Sequence, residues 1–186
     1  VFALQLLLMR RRTRLEQNIV GIRHKPDGDL VDSFLASLPF ELTGAQKRAM
    51  ESIRQDMERP IPMRRLLQGD VGSGKTIVAV YSIVKAAAGG YQTAFMVPTE
   101  ILAEQHFSSL QKYLAPLGVS VRLLTGRLAG KERSLLLDEL ASGQVQVVVG
   151  THALIQADVR FDKLGLVVID EQHRFGVEQR QALSRP

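Results

Sequence analysis

The stretch "LLQGDVGSGKTIVAVYSIVKAAA", residues 66–88, decides the fold. It runs from a short apolar segment through a glycine loop into fourteen residues of helix-forming character. Within it, "GDVGSGKT" at residues 69–76 satisfies the spacing G-x-x-x-x-G-K-[ST] in the context that gives the pattern its meaning, after a strand and opening a helix. Gly69, Gly72 and Gly74 permit backbone conformations that a Cβ obstructs. The N–H groups of Gly69, Asp70, Val71, Gly72, Ser73 and Gly74 can then turn inward on phosphate oxygens. A helix opening at Lys75 adds its positive end. Lys75 brings a mobile point charge to the β and γ phosphates, and the Thr76 hydroxyl is a hard oxygen ligand for Mg²⁺. The competing reading is a plain glycine turn with an incidental lysine.

Outward from this loop the pattern becomes regular. "RRLLQ" (64–68) reads as the strand before it. Strand "QTAFMVP" (92–98) leads to helix "TEILAEQHFSSLQKYLA" (99–115), and strand "VSVRLLT" (119–125) to helix "GKERSLLLDELAS" (130–142). Strands "VQVVVG" (145–150) and "LGLVVID" (164–170) follow. Apolar runs alternating with helices imply parallel strands joined by crossovers, with helices on both faces: a doubly wound α/β sheet. Upstream, "LVDSFLASL" (30–38) reads as a short amphipathic helix. Thr43 reads as the N-cap of "GAQKRAMESIRQDMER" (44–59), which "PIP" ends.

The last apolar run delivers two acids, Asp170 and Glu171, to the carboxyl edge of the sheet, where the binding crevice of such folds lies. One carboxylate can hold Mg²⁺ while the other orients the attacking water. A helix cap is the plainer reading of the same pair. His173 has no Cys or paired His nearby and so does not read as a zinc ligand, and His24, His106 and His152 are scattered.

The net charge of +5 is not spread over the chain. Residues 1–25 carry six basic side chains against one acidic, and the remainder balances. "RRRTR" at 10–14 reads as the solvated end of a docking helix running from Phe2 to about Gln17, or else as a phosphate contact. "GIRHKPDGD" (21–29) is turn-rich and reads as a linker. There is no cysteine, so no disulfide framework or thiolate metal site is available, and a reducing, cytoplasmic setting is the default. The opening apolar block is too short to span a membrane. With no initiator methionine and an unfinished polar end, the sequence is expected to be a piece of a longer chain.

The segments "LPFELTGAQ", "LLQGDVGSGKT", "VPTEILAEQH", "VVVGTHALIQ" and "VVIDEQHRFGVEQR", in this order, resemble the first motor domain of superfamily 2 helicases. More narrowly they resemble the RecG family of ATP-dependent DNA branch-migration helicases, over about residues 30–180. The alternative is the motor of a transcription-repair coupling factor, a double-stranded DNA translocase that shares the "RFGV" ending. The resemblance implies a RecA-like P-loop NTPase domain over residues 30–186, with residues 1–29 as an N-terminal helical connector and linker. It implies ATP and Mg²⁺ as cofactors and branched DNA, forks and Holliday junctions, as partner. A second RecA-like domain and a wedge domain of the same parent chain are implied as well, and no membrane.

Site residues carry over by motif. Phe40, Thr43 and Gln46 match the adenine-reading segment, since an amide both accepts from the exocyclic amine and donates to a ring nitrogen. Lys75, Asp170 and Glu171 are the catalytic set, with Thr76 and Asp170 at the metal. Pro98, Thr99 and Glu100, and Gly150, Thr151 and His152, match segments that contact a DNA strand; ordinary helix capping is the alternative for these. His173, Arg174, Phe175, Gln179 and Arg180 match a coupling loop between DNA and nucleotide. Without a second domain the fragment is expected to bind nucleotide with little turnover. A complete P-loop kinase would instead turn over alone, and an interaction module would ignore nucleotide.

Overall fold

The computed structural model describes residues 20–170. The basic helix expected before residue 20 and the segment from Glu171 onward, which includes His173, Arg174, Phe175, Gln179 and Arg180, lie outside the described residues.

Two helices precede the glycine loop. α1 (Asp29–Ala36) carries Asp29 and Asp32 in its first turn, where the helix dipole favours them, and buries Val31 and Phe34. α2 (Gly44–Met57) opens on Thr43, whose hydroxyl accepts from the Gln46 N–H, while the Gln46 side chain accepts from the Thr43 N–H. This capping box fixes where the helix starts. Met50, Ile53 and Met57, spaced i, i+3, i+7, form its buried stripe.

α3 (Lys75–Ala88) follows the glycine loop and is buried along most of its length. β1 (Gln92–Met96), α4 (Glu100–Leu114), β2 (Val121–Leu124), α5 (Gly130–Ala141), β3 (Val147–Gly150) and β4 (Leu164–Ile169) complete the described order, with short 3₁₀ turns at Ala115–Leu117 and His152–Ile155.

The four strands form one parallel sheet in the order β2-β3-β1-β4. β1 and β3 are buried along their whole length; β3 reads as a continuous apolar run rather than as alternation, while β1 opens on the buried polar pair Gln92 and Thr93. Alternate residues nevertheless feed two cores. Phe95, Val97, Val147, Val149 and Val121 pack with α1–α4 on one side. Met96, Val148 and Leu124 pack with Leu136 and Leu140 of α5 and with Ala153 and Leu154 on the other. Helices thus cover both faces, as in a RecA-like fold.

Two expectations change. "RRLLQ" (64–68) forms no ladder, and Leu66 is exposed. A strand needs a hydrogen-bonding neighbour, and none of the four described strands pairs with it. The turn-rich linker, in turn, is docked. Gly21 N–H donates to Pro60 O (2.9 Å) and His24 N–H to Met57 O (2.9 Å). The His24 ring, buried, meets Gly165 O of β4 through Nε2 at 3.2 Å and stacks edge-on against Tyr91.

Candidate functional site

The glycine loop is closed by its own lysine. Lys75 Nζ donates to Gly69 O (2.6 Å) and Asp70 O (2.8 Å), folding the side chain back across residues 69–74. Gly74 sits at the helix N-cap with φ +78°, a left-handed conformation, and Gly72 has φ +80°. A Cβ on Gly74 would also collide with the side-chain amide of Gln46. Because glycine offers no capping oxygen, the first N–H groups of α3 are left for an external acceptor. Asp70, Val71 and Ser73 are exposed, with Val71 at the open tip of the loop.

Gln46 braces this loop from outside. Its Oε1 accepts from Thr43 N–H (2.8 Å) and its Nε2 donates to Ser73 O (3.1 Å). Each end of the amide therefore has one hydrogen-bonding position engaged and one more by its chemistry. The same neighbourhood is a cleft of about 490 Å³ lined by Phe40, Glu41, Thr43, Gln46, Gly72, Gly74, Thr76, Ile77, Ser109 and Tyr113. The structure thus brings the residues expected around a purine to those expected around phosphates. Ser109 and Tyr113 reach it from α4, which sequence reasoning missed. They face the cleft because α4 packs beside α3, a contact that no local spacing announces.

At the carboxyl edge of the sheet, three strand ends come level. Met96 of β1 is in register with Gly150 of β3 and Ile169 of β4, and Asp170 N–H donates to Met96 O (3.0 Å). Pro98, Thr99 and Glu100, then Gly150, Thr151 and His152, and Asp170 therefore share one edge. Asp170 Oδ2 lies 2.9 Å from His106 Nε2 of α4, so one of the scattered histidines meets the predicted metal acid. Glu171 lies outside the described residues. Among the described residues there is no cluster of three or more His, Cys, Asp or Glu that would hold a metal by protein ligands alone. The oxygen donors Thr76 and Asp170 instead suit Mg²⁺, which retains waters and takes its remaining ligands from phosphates.

The residues expected at DNA divide. The Thr99 hydroxyl caps its own helix, accepting from Leu102 N–H at 3.3 Å, and remains exposed. Glu100 is paired with Arg127 Nε at 2.8 Å. Thr151 is buried, and its hydroxyl has no partner among the described residues. His152 beside it is exposed.

The DEAD/DEAH box helicase model matches residues 43–185. RecG of Synechocystis sp. is 50% identical over 98% of this chain, and RecG of Thermotoga maritima is 52% identical over 98%. A solved structure of RecG bound to a three-way DNA junction superposes with a TM-score of 0.86 at 50% identity over 94% of this chain. The UvsW helicase of bacteriophage T4, 18% identical with a TM-score of 0.60, shares the fold. The chain spans 22% and 23% of the two RecG relatives and 24% of the solved RecG chain. The coupling-factor alternative is not favoured by these matches. Among the described residues no helix is long and apolar enough to cross a membrane. The chain belongs to the DEAD/DEAH box helicase family and is similar to RecG members over nearly its whole length.

Proposed function

We propose that this chain is the ATP-binding half of a DNA helicase motor, which in its parent protein couples ATP hydrolysis to branch migration and unwinding of forked and Holliday-type DNA in recombination and repair. Family membership implies nucleotide binding. The observation that carries the finer reading is the single cleft joining Phe40, Thr43 and Gln46 to Gly72, Gly74 and Thr76.

In this reading Phe40 stacks on the adenine, and Gln46 reads its edge with the hydrogen-bonding position left on each end of its amide. The Lys75 ammonium leaves the two loop carbonyls for the β and γ phosphates, exchanging neutral acceptors for charged ones. Thr76 and Asp170 hold Mg²⁺, which supplies charge neutralisation for the leaving phosphate when bound. Glu171 orients the attacking water. Pro98, Thr99, Glu100, Gly150, Thr151 and His152 lie along the edge that meets a DNA strand. His173, Arg174, Phe175, Gln179 and Arg180 follow the acids as the coupling loop. An arginine over the γ phosphate comes from a second RecA-like domain of the parent, beside its wedge domain, in the cytoplasm.

The test is equilibrium binding of a fluorescent ATP analogue by the 186-residue chain, with steady-state hydrolysis measured beside it, with and without forked DNA. The expected result is binding that Lys75→Ala weakens by about 100-fold, through loss of charge-assisted bonds, with little turnover. Vigorous Lys75-dependent hydrolysis by this chain alone would mean that its catalytic set is complete, and the half-motor reading would fall.

A further inference from the structure

His106 is on α4, the helix that also sends Ser109 and Tyr113 to the nucleotide cleft. The three positions are spaced i, i+3, i+7, so they share one face of the helix. That face runs from the cleft lined by Ser109 and Tyr113 to the strand end bearing Asp170. The His106 ring is held on two sides: it packs against Phe95 of β1 with ring centroids 4.8 Å apart, and its Nε2 meets Asp170 Oδ2 at 2.9 Å. A carboxylate accepts, so the imidazole donates from Nε2–H. Asp170 is pinned at its backbone by Met96 O. With the backbone N–H held by Met96 O and Oδ2 tied to a packed ring, that carboxylate oxygen has a defined place.

We propose that His106 is a positioning residue that holds the Asp170 carboxylate in its metal-binding orientation. The inference rests on the nucleotide reading above and adds a residue to it. A stability role is a poor account of the contact. The Asp170 side chain is 39% exposed, and a polar contact so open to water contributes little to folding. Orientation is the quantity that a hydrogen bond to a ligating carboxylate controls, and loss of such a partner typically costs 10–100-fold in metal affinity.

The experiment titrates Mg²⁺ into the 186-residue chain with a fluorescent non-hydrolysable ATP analogue, reading the Mg²⁺ concentration at half-maximal complex formation, and repeats nucleotide binding in EDTA. His106→Ala is expected to raise the half-saturating Mg²⁺ about 10-fold or more while leaving binding in EDTA unchanged. His106→Gln, whose amide keeps a donor at similar reach, restores most of the shift. In an Asp170→Asn background His106→Ala adds nothing. Coincident Mg²⁺ curves for the native chain and His106→Ala would overturn the inference alone, as would equal losses with and without Mg²⁺ or a His106→Gln variant no better than His106→Ala. Failure of the native chain to bind nucleotide under any condition would sink the nucleotide reading and this inference with it.

Discussion

Lys75 and Lys85 stand ten residues apart on the same helix, one at its first position and one in its last turn. Lys75 donates to two backbone carbonyls, neutral acceptors that leave its positive charge uncompensated. Lys85 is 1% exposed and donates to Asp27 Oδ1 (2.6 Å), Glu58 Oε1 (2.8 Å) and Lys25 O (2.9 Å), three acceptors for its three protons. Around it Arg54 shares Glu58, and Tyr81 donates to Asp27 Oδ2 at 2.7 Å. Burial and that carboxylate together push the Tyr81 hydroxyl well above the usual phenol range. The two lysines separate binding from structure. A cation whose charge is left over is available to an anion that arrives later, whereas one whose charge is cancelled holds together the segments that cancel it.

The sharpest way to break this comparison is to truncate each lysine and measure urea unfolding. Lys85→Ala removes the cation that Asp27 and Glu58 share, leaving Glu58 with Arg54 and Asp27 with the Tyr81 hydroxyl. Removing one partner of a fully buried pair costs about 3–5 kcal/mol, but both carboxylates here keep roughly a quarter of their surface in water, so about 2–3 kcal/mol is expected. Lys75→Ala, which removes no compensated charge, should change stability by less than about 0.5 kcal/mol. Equal losses at the two sites would erase the distinction.

A smaller effect tests whether the brace on the glycine loop belongs with the binding lysine or the structural one. Thr43→Ala removes the hydroxyl that accepts from Gln46 N–H. The loss of that cap should cost about 1 kcal/mol. Because Gln46 also holds Ser73 O, nucleotide affinity should fall with it by a few-fold, read by the same fluorescent binding assay. Loss of stability with unchanged affinity would place the brace with Lys85 as scaffolding.

What the sequence made legible follows from the range of the interactions involved. α3 occupies the predicted residues 75–88, and α2 starts at its predicted cap, because loop glycines, N-caps and helical periodicity are local properties. The strands β1–β4 fall inside their apolar runs. "RRLLQ" reads as a strand from its place before the glycine loop, and that place does not supply a neighbouring strand. The linker was legible as irregular backbone and illegible as a docked one. His24 meets Gly165 across 141 residues, and Lys85 meets Lys25 across 60. His106 and Asp170, 64 residues apart, were each visible and their pairing was not. These last three are polar contacts between distant segments, to which hydrophobic period is blind.

The docked linker also gives the structural end of α3 a mild pH dependence. Burial pushes His24 below its ordinary value of 6.5, the nearby Lys85 charge acts in the same direction, and the bond to Gly165 O opposes them more weakly than burial acts. The folded state therefore takes up the His24 proton at lower pH than the unfolded chain does. Its contribution to stability is complete above about pH 6.5 and is lost as pH falls through the folded value, because protons then favour the unfolded state. A charged His24 would also set a second cation beside the cluster that Lys85 already satisfies. His24→Gln cannot take up that proton while keeping a donor for Gly165 O. The gap between native and variant unfolding midpoints should thus narrow as the buffer moves from about pH 7.5 to about pH 5. A gap that stays constant, or widens, would mean that the His24 ring is not held neutral by burial and that the linker reaches the Lys85 cluster without sharing its electrostatics.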